Sequence, residues 1–437
     1  MEEFIKILTE QIRCVRAREG IAQEISNHIL DQTEAFEQKG MSHEQALERA
    51  VQEMGDPVEI GLSMDRIHRP QIDWKMMLIT FLLSIVGLVC MMPMFGVTYV
   101  ISRQLLFTLA GFGVIAAVCL LDYSVLGRTG IAAGIVLTVA FLIGKRYYFQ
   151  TINGRTPAMS ILVYLYVPVF AGILYQLRKK GFKTVFLVAG IIGFICVMAL
   201  YLSSSLMVAG NLFLCMIILL VAAVIKGMFG KNKTYMTAFI AVVVTLPTIF
   251  WGWLLWSNKY SFRVQRLTAF FNRGKYQEAE GYYYKIIRDV LHSSKWVGTG
   301  NNAYFEELLF PGLKEGEFLP LTIIYYFGFI VGIVLLILLA VFILCAINIV
   351  HRQKNQLGAL VSLACFLVLA VNCVEGILIS VGLFPVTTAA IPFLTRGGST
   401  ALVYAVLIGL LLSVHRREKI VSYCSVVNKS SEKRASN

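Results

Sequence analysis

Ten apolar stretches, each 17 residues or longer, follow one another from residue 74 almost to the end of this chain. They fall at 74–94, 104–121, 125–144, 158–177, 184–202, 205–225, 235–256, 319–349, 357–383 and 398–414. About 20 residues of helix cross the hydrocarbon of a bilayer. Within it, every backbone N–H and C=O must be satisfied inside the protein, which leaves the helix as the element such runs can form. Charged residues make up only 15% of the chain, against about a quarter in soluble domains. The sequence therefore predicts an all-α, polytopic membrane protein with about ten transmembrane helices, behind a small soluble helical N-terminal domain.

Residues 1–70 carry that soluble domain. Ile5, Leu8, Ile12 and Val15 keep a helical period, as do Ile21, Ile25, Ile29 and Leu30. Ser42 with Gln45 offers a capping box for a helix running to Met54, and Gly55-Asp56-Pro57 ends that helix and starts another. The transmembrane part spans 74–417 and the polar tail 418–437. No cleavable signal peptide is expected, because the first apolar run begins only near Trp74.

A net charge of +13 could point to nucleic acid, but the basic residues sit in the short segments between apolar runs. That pattern sets orientation in a membrane; no nucleic-acid partner is expected. With the N-terminus in the cytoplasm, the inside segments hold thirteen Lys or Arg and the short outside loops five. Both termini are then cytoplasmic, and the large loop 257–318, with nine Lys or Arg, lies outside. Seven of the nine cysteines lie within apolar runs and no Cys-x-x-Cys pair occurs, so they read as small apolar packing residues.

Two stretches carry chemistry. In loop 257–318, Arg263 and Arg266 are three apart among aromatics, and Lys285 follows Tyr282-Tyr283-Tyr284. Cations interleaved with aromatics at headgroup level suit an anionic lipid headgroup, and Arg presents a planar fork to phosphate oxygens. The second stretch runs from Gly382-Leu383-Phe384-Pro385 to Arg396-Gly397-Gly398-Ser399-Thr400. Its prolines and glycines imply irregular backbone at membrane depth, tolerated only where protein buries it or it lines a cavity. Main-chain N–H groups at Gly397, Gly398 and Ser399 open a helix N-terminus, a natural place for an anion. Asn372 and Glu375, at i and i+3, put a carboxylate at membrane depth or at its wet outer edge.

Together these stretches resemble the SEDS family (shape, elongation, division and sporulation; the FtsW, RodA and SpoVE proteins). The family's last-helix signature is similar to Gly-Leu-Leu-Pro-x-Thr-Gly-x-x-x-Pro-Phe-x-Ser-Tyr-Gly-Gly-Ser-Ser. This chain keeps Gly382, Leu383, Pro385, Thr387, Pro392, Phe393, Gly397, Gly398 and Ser399 in that spacing. Its loop looks like the family's Tyr-x-x-x-Arg-x-x-x-Phe-x-x-Pro, with Arg266 and Phe270 in step and Arg273 in place of the proline. Residues 1–70 resemble a helical prefix domain found ahead of various bacterial permeases and regulatory membrane proteins.

The resemblance implies a peptidoglycan glycosyltransferase that polymerises lipid II, an undecaprenyl-diphosphate-linked substrate, at the outer face of the bacterial cytoplasmic membrane, in division, shape or sporulation. It implies a membrane-anchored class B penicillin-binding transpeptidase as partner, and Mg2+ or Mn2+ as an ion that would suit a carboxylate beside a diphosphate. The family's base is an aspartate eleven residues before a Gly-Phe pair; counting back from Gly328-Phe329 gives Glu317, with Glu315 second. Arg263, Arg266, Lys285, Arg396, Gly397, Gly398 and Ser399 are the implied substrate contacts. The chain departs from the pattern at Gly316 for threonine, Tyr325 and Tyr326 for paired glutamates, and Thr395-Arg396 for Ser-Tyr. The alternatives are a lipid II transporter and a non-catalytic scaffold that binds lipid II for a transpeptidase.

Overall fold

The computed structural model describes residues 1–13, 15–68, 70–149, 156–181, 184–230, 245, 252, 270–271, 282–301, 318–385 and 390–418. All regular secondary structure among them is helical. The chain forms two compact units, one centred on Met1–Asp73, the other on Trp74–His351 and Gln356–Ser413.

The first unit holds α1 (Glu2–Glu10), α2 (Val15–Glu37), α3 (His43–Met54) and α4 (Pro57–His68). The periodic apolar residues close on one another: Phe4, Leu8, Ile12, Ile21, Ile25 and Ile29 are buried together with Ala17 and Ala50. Asp56 accepts the Val58 N–H at 3.0 Å and so caps α4, with Pro57 supplying the fixed φ of a first helical turn. Gly61 lets α4 approach α1, since a Cβ there would lie 2.6 Å from the Leu8 carbonyl oxygen. Asp65, buried, accepts the backbone N–H of Arg13 at 2.8 Å. The capping box is not made. Ser42 occupies the N-cap with extended backbone, but its hydroxyl bonds no N–H of α3.

The second unit contains α5 (Trp74–Phe95), α6 (Val97–Leu120), α7 (Ser124–Tyr147), α8 (Pro157–Leu177), α9 (Thr184–Ser203), α10 (Leu206–Ile225), α11 (Tyr282–Ser293), α12 (Leu319–Phe327), α13 (Phe329–Arg352), α14 (Gln356–Ser380) and α15 (Gly398–Arg416). Nine of these, all but α11 and α12, are long and apolar enough to cross a membrane among the described residues. The expected run 235–256 lies almost wholly outside them. Lipid offers no hydrophobic drive for helix pairing, so close approach through small residues must do the work. At the α7–α8 crossing, a Cβ on Gly130 would lie 2.6 Å from the Gly172 carbonyl carbon. α8 and α14 are the most buried spans, whereas α7 presents most of its surface outward.

Two elements differ from the sequence expectation. The second span begins at Val97, seven residues early, because Gly96 (φ +81°) ends α5 and the chain re-enters a helix at once, with a π-helical turn at Val100–Gln104. The run 319–349 is two helices. Gly328 (φ +92°) ends α12, and the N–H groups of Phe329 and Ile330 donate to the Lys295 and Trp296 carbonyls at 3.0 and 3.2 Å. The backbone groups freed by the break are thus satisfied by protein.

Candidate functional site

The segment 390–400 is built from both of its neighbours. Ile391 is buried with its side chain seated on α14 at Gly376, where a Cβ would lie 2.7 Å from Ile391 Cδ1. The Tyr404 hydroxyl of α15 donates to the Ala390 carbonyl, and the Thr395 hydroxyl donates to the Ile391 carbonyl at 2.9 Å. Phe393 adopts φ +65° and Gly397 φ +123°. The second is a conformation that glycine adopts readily. The glycines at 397–398 therefore serve two needs. Gly397 turns the chain, and Gly398 lies against the Phe107 ring, 2.6 Å from where a Cβ would sit.

Around this mouth α5 and α6 supply the partners. Arg396 Nε donates to the Tyr99 hydroxyl at 2.8 Å, and its guanidinium lies over the Phe95 and Tyr99 rings at 5.0 and 4.6 Å. Cation–π contact and a directed hydrogen bond fix the plane of the fork. The Gly397 N–H donates to Gln104 Oε1 at 3.4 Å, so one of the main-chain donors expected at this helix start is met by a side chain. A cleft beneath is lined by Ser84, Gln104, Thr108, Phe393, Thr395 and Thr400. Of these, Ser84, Gln104 and Thr400 are buried polar residues. Ser399 is half-buried in the first turn of α15.

A second group forms on α11. Its apolar face, Ile286, Ile287 and Val290, packs with Phe318 just ahead of α12, Leu321 and Tyr325 of α12 and Ile379 of α14. Tyr283 stacks on Phe318 with ring centroids 6.1 Å apart and planes 11° from parallel. Lys285 and Arg288 stand on the exposed face, Arg288 3.8 Å from Asp289. Phe318 directly follows Glu317, so the helix bearing Lys285 lies against the chain next to the candidate base. Arg263, Arg266, Glu315 and Glu317 themselves lie outside the described residues.

Sequence reasoning did not find Gln104, Tyr99 and Phe95 as partners of the mouth. The signal for Gln104 was a lone amide at the head of an apolar run. Nor did it find the partners of Glu375. That carboxylate is buried, with Asn211 of α10 donating to it at 2.5 Å, and Asn211 also donates to the Tyr164 hydroxyl at 3.2 Å.

Comparison with known proteins accords with this architecture. The FtsW probable peptidoglycan glycosyltransferase of Trichlorobacter lovleyi is 23% identical over 336 residues, 72% of this chain and 83% of that one. The corresponding protein of Thioalkalivibrio sp. (strain K90mix) is 28% identical, and the stage V sporulation protein E of Bacillus subtilis 25%. The chain spans less than half the length of these last two, 40% and 42%, while 36% of its own length is matched in each. Among solved structures, a chain of a peptidoglycan synthase complex superposes with TM-score 0.61 at 15% identity, covering 79% of this chain and 98% of its own. The rod shape determining protein RodA of Thermus thermophilus gives TM-score 0.53 at 13% identity, covering 79% and 97%. The model of the FtsW/RodA/SpoVE family, described as cell cycle proteins, matches residues 72–420. The chain belongs to the FtsW/RodA/SpoVE family and is a multi-pass membrane protein of the same helical fold.

Proposed function

We propose that this protein is a peptidoglycan glycosyltransferase that polymerises lipid II at the outer face of the bacterial cytoplasmic membrane, with both termini cytoplasmic. The observation that carries the reading is the mouth of α15. There nine residues of the family signature between Gly382 and Ser399 are kept, and Arg396, in place of the signature's tyrosine, is held in a fixed plane by Tyr99 and Phe95.

The reaction joins an acceptor sugar hydroxyl to the anomeric carbon of a lipid-diphosphate donor and breaks the bond from that carbon to phosphate oxygen. It needs a base for the hydroxyl proton and positive charge for the departing diphosphate. Glu317 is the proposed base, with Glu315 as second choice. Arg263, Arg266, Lys285 and Arg396, with the N–H groups of Gly398 and Ser399, are the proposed diphosphate contacts. A divalent ion, Mg2+ or Mn2+, would add charge stabilisation at the leaving group. Among the described residues no three His, Cys, Asp or Glu side chains come together to hold one.

The names of the relatives support the activity, and the solved peptidoglycan synthase complex supports a partner. We infer that the partner is a membrane-anchored class B penicillin-binding transpeptidase. A lipid II transporter is the second reading. It is favoured by the buried polar contacts that Tyr164, Asn211 and Glu375 make across three spans.

The test is polymerisation of labelled lipid II by purified protein, with and without divalent ion and transpeptidase, wild type beside Glu317→Gln. Glycan strands from wild type alone are expected. Equal strands from both would remove Glu317 from the mechanism. None under any condition, with lipid II still bound, would replace the enzyme by a scaffold.

A further inference from the structure

Three central spans meet in a polar cluster that the proposed transfer reaction does not use. Glu375 and Asn372 occupy one face of α14, Tyr164 projects from α8 and Asn211 from α10, and these helices pack pairwise on one another. Tyr164, Asn372 and Glu375 are 2%, 1% and 6% exposed. Each lies five to eight residues from the helix end at Ser380 or Pro157, about 8–12 Å inside the bundle at 1.5 Å per residue. Asn211 bridges two of them, donating from Nδ2 to Glu375 Oε2 at 2.5 Å and to the Tyr164 hydroxyl at 3.2 Å.

Asn372 is the informative member. Its Nδ2 donates back to the Val368 carbonyl at 2.9 Å, while its Oδ1 is fully buried with no hydrogen-bond partner among the described residues. The side chain lies beside the Tyr164 hydroxyl, which in turn faces the Glu375 carboxylate. An amide oxygen left unpaired in a membrane interior is costly. One turn before Glu375 on the same face of α14 and next to Tyr164, the amide brings its carbonyl to a cluster that already holds a carboxylate and a hydroxyl, the kinds of oxygen that hard cations take.

We propose that Glu375, Asn372 and Tyr164 form an intramembrane site for a single monovalent alkali cation, with Asn211 as the clamp that holds the carboxylate and the phenol in register. One carboxylate balances one positive charge. A divalent ion would leave net charge among apolar helices, where it is expensive. The site also has a route to the mouth of α15: Gly376, the next residue after Glu375, is the seat of Ile391, and the Tyr404 hydroxyl holds the Ala390 carbonyl. An ion that fixes α14 at Glu375 therefore steadies the segment that presents Arg396. The site stands independently of the glycosyltransferase reading, because its test reads binding.

The experiment is thermal unfolding of the full-length protein in detergent, titrated with NaCl or KCl against choline chloride at constant ionic strength and pH. A saturable rise in Tm with Na+ or K+ over choline is expected, as for any ligand that binds only the folded state. Glu375→Gln should abolish it. Asn372→Ala and Tyr164→Phe keep the carboxylate and should move the midpoint to at least about tenfold higher salt, the loss of one ligand of roughly 1.4 kcal/mol; they serve if Glu375→Gln does not fold. Equal Tm in all three salts overturns the proposal. So does a Tm that follows pH but not cation, which would make Glu375 a proton site, and so does stabilisation by Mg2+ alone.

Discussion

The seat of Ile391 on α14 can be tested by a double-mutant cycle whose sign is fixed in advance. Ile391 is 3% exposed, and a Cβ at Gly376 would lie 2.7 Å from its Cδ1, closer than real Cβ atoms approach. Gly376→Ala gains about 1 kcal/mol of helix propensity. It also forces a buried side chain to move where it has little room, and overpacking of this kind costs about 1–3 kcal/mol. The net expectation is a loss of about 1 kcal/mol. Ile391→Ala empties the seat and costs about 2–4 kcal/mol. In the double variant the new methyl occupies part of the emptied seat and keeps the propensity gain, so the clash disappears. Thermal unfolding in detergent should therefore place Gly376→Ala/Ile391→Ala above Ile391→Ala alone, with a coupling of at least about 1 kcal/mol. Lipid II polymerisation should fall in each single variant and recover in part in the double. A double variant whose loss equals the sum of the two single losses would show that Ile391 is not seated on Gly376.

Gly328→Ala should be among the most damaging single changes in the membrane unit. It places a side chain at φ +92°, 2.5 Å from the Trp296 carbonyl oxygen; loss of monodisperse protein on size-exclusion chromatography reads it, and a normal profile would contradict the break described between α12 and α13. Arg396→Lys keeps the charge but loses the planar stack and the Nε donor to Tyr99, about 1–2 kcal/mol in all. The expected result is a KM for lipid II raised about tenfold with the fold intact, and an unchanged KM would mean the fixed plane of the guanidinium does not matter. Tyr325→Glu restores a family glutamate at a position only 2% exposed, and burying that carboxylate should cost about 3 kcal/mol or more. A Tm equal to wild type would show that the position is wet.

The helical architecture was legible because each described span contains an apolar run long enough for the bilayer, and the N-terminal bundle because Leu8, Ile12, Ile21, Ile25 and Ile29 keep a helical period. Interruptions were less legible. Gly328 reads in sequence as one more glycine in an apolar run; the break depends on Lys295 and Trp296, some thirty residues earlier, offering their carbonyls. Arg396 was singled out, yet Tyr99 and Gln104, nearly three hundred residues away, give it and Gly397 their poses. Glu375 announced itself by its cost in a membrane, whereas Asn211 passed as one polar residue in a run of leucines. Periodicity locates faces, but it cannot pair one face with another.

The departures from the family pattern gain a physical sense from their partners. Tyr325 stands where the family has a glutamate, and it is not idle there. Its ring closes over Gly300, where a Cβ would lie 2.8 Å away, and its carbonyl accepts the Gly300 N–H at 2.8 Å. It also joins α11 to α12 in one apolar cluster. Arg396 stands where the family has a tyrosine, and a hydroxyl and two rings receive it. A position merely released from selection has no reason to acquire a matched set of neighbours, because each contact needs a second residue at a distant place in the chain. Tyr325 is thus part of the packing between α11 and α12, and at the mouth of α15 a cation stands in an aromatic brace. The guanidinium held there is the charge that the proposed transfer would use at its departing diphosphate, a task that the scaffold reading does not give it.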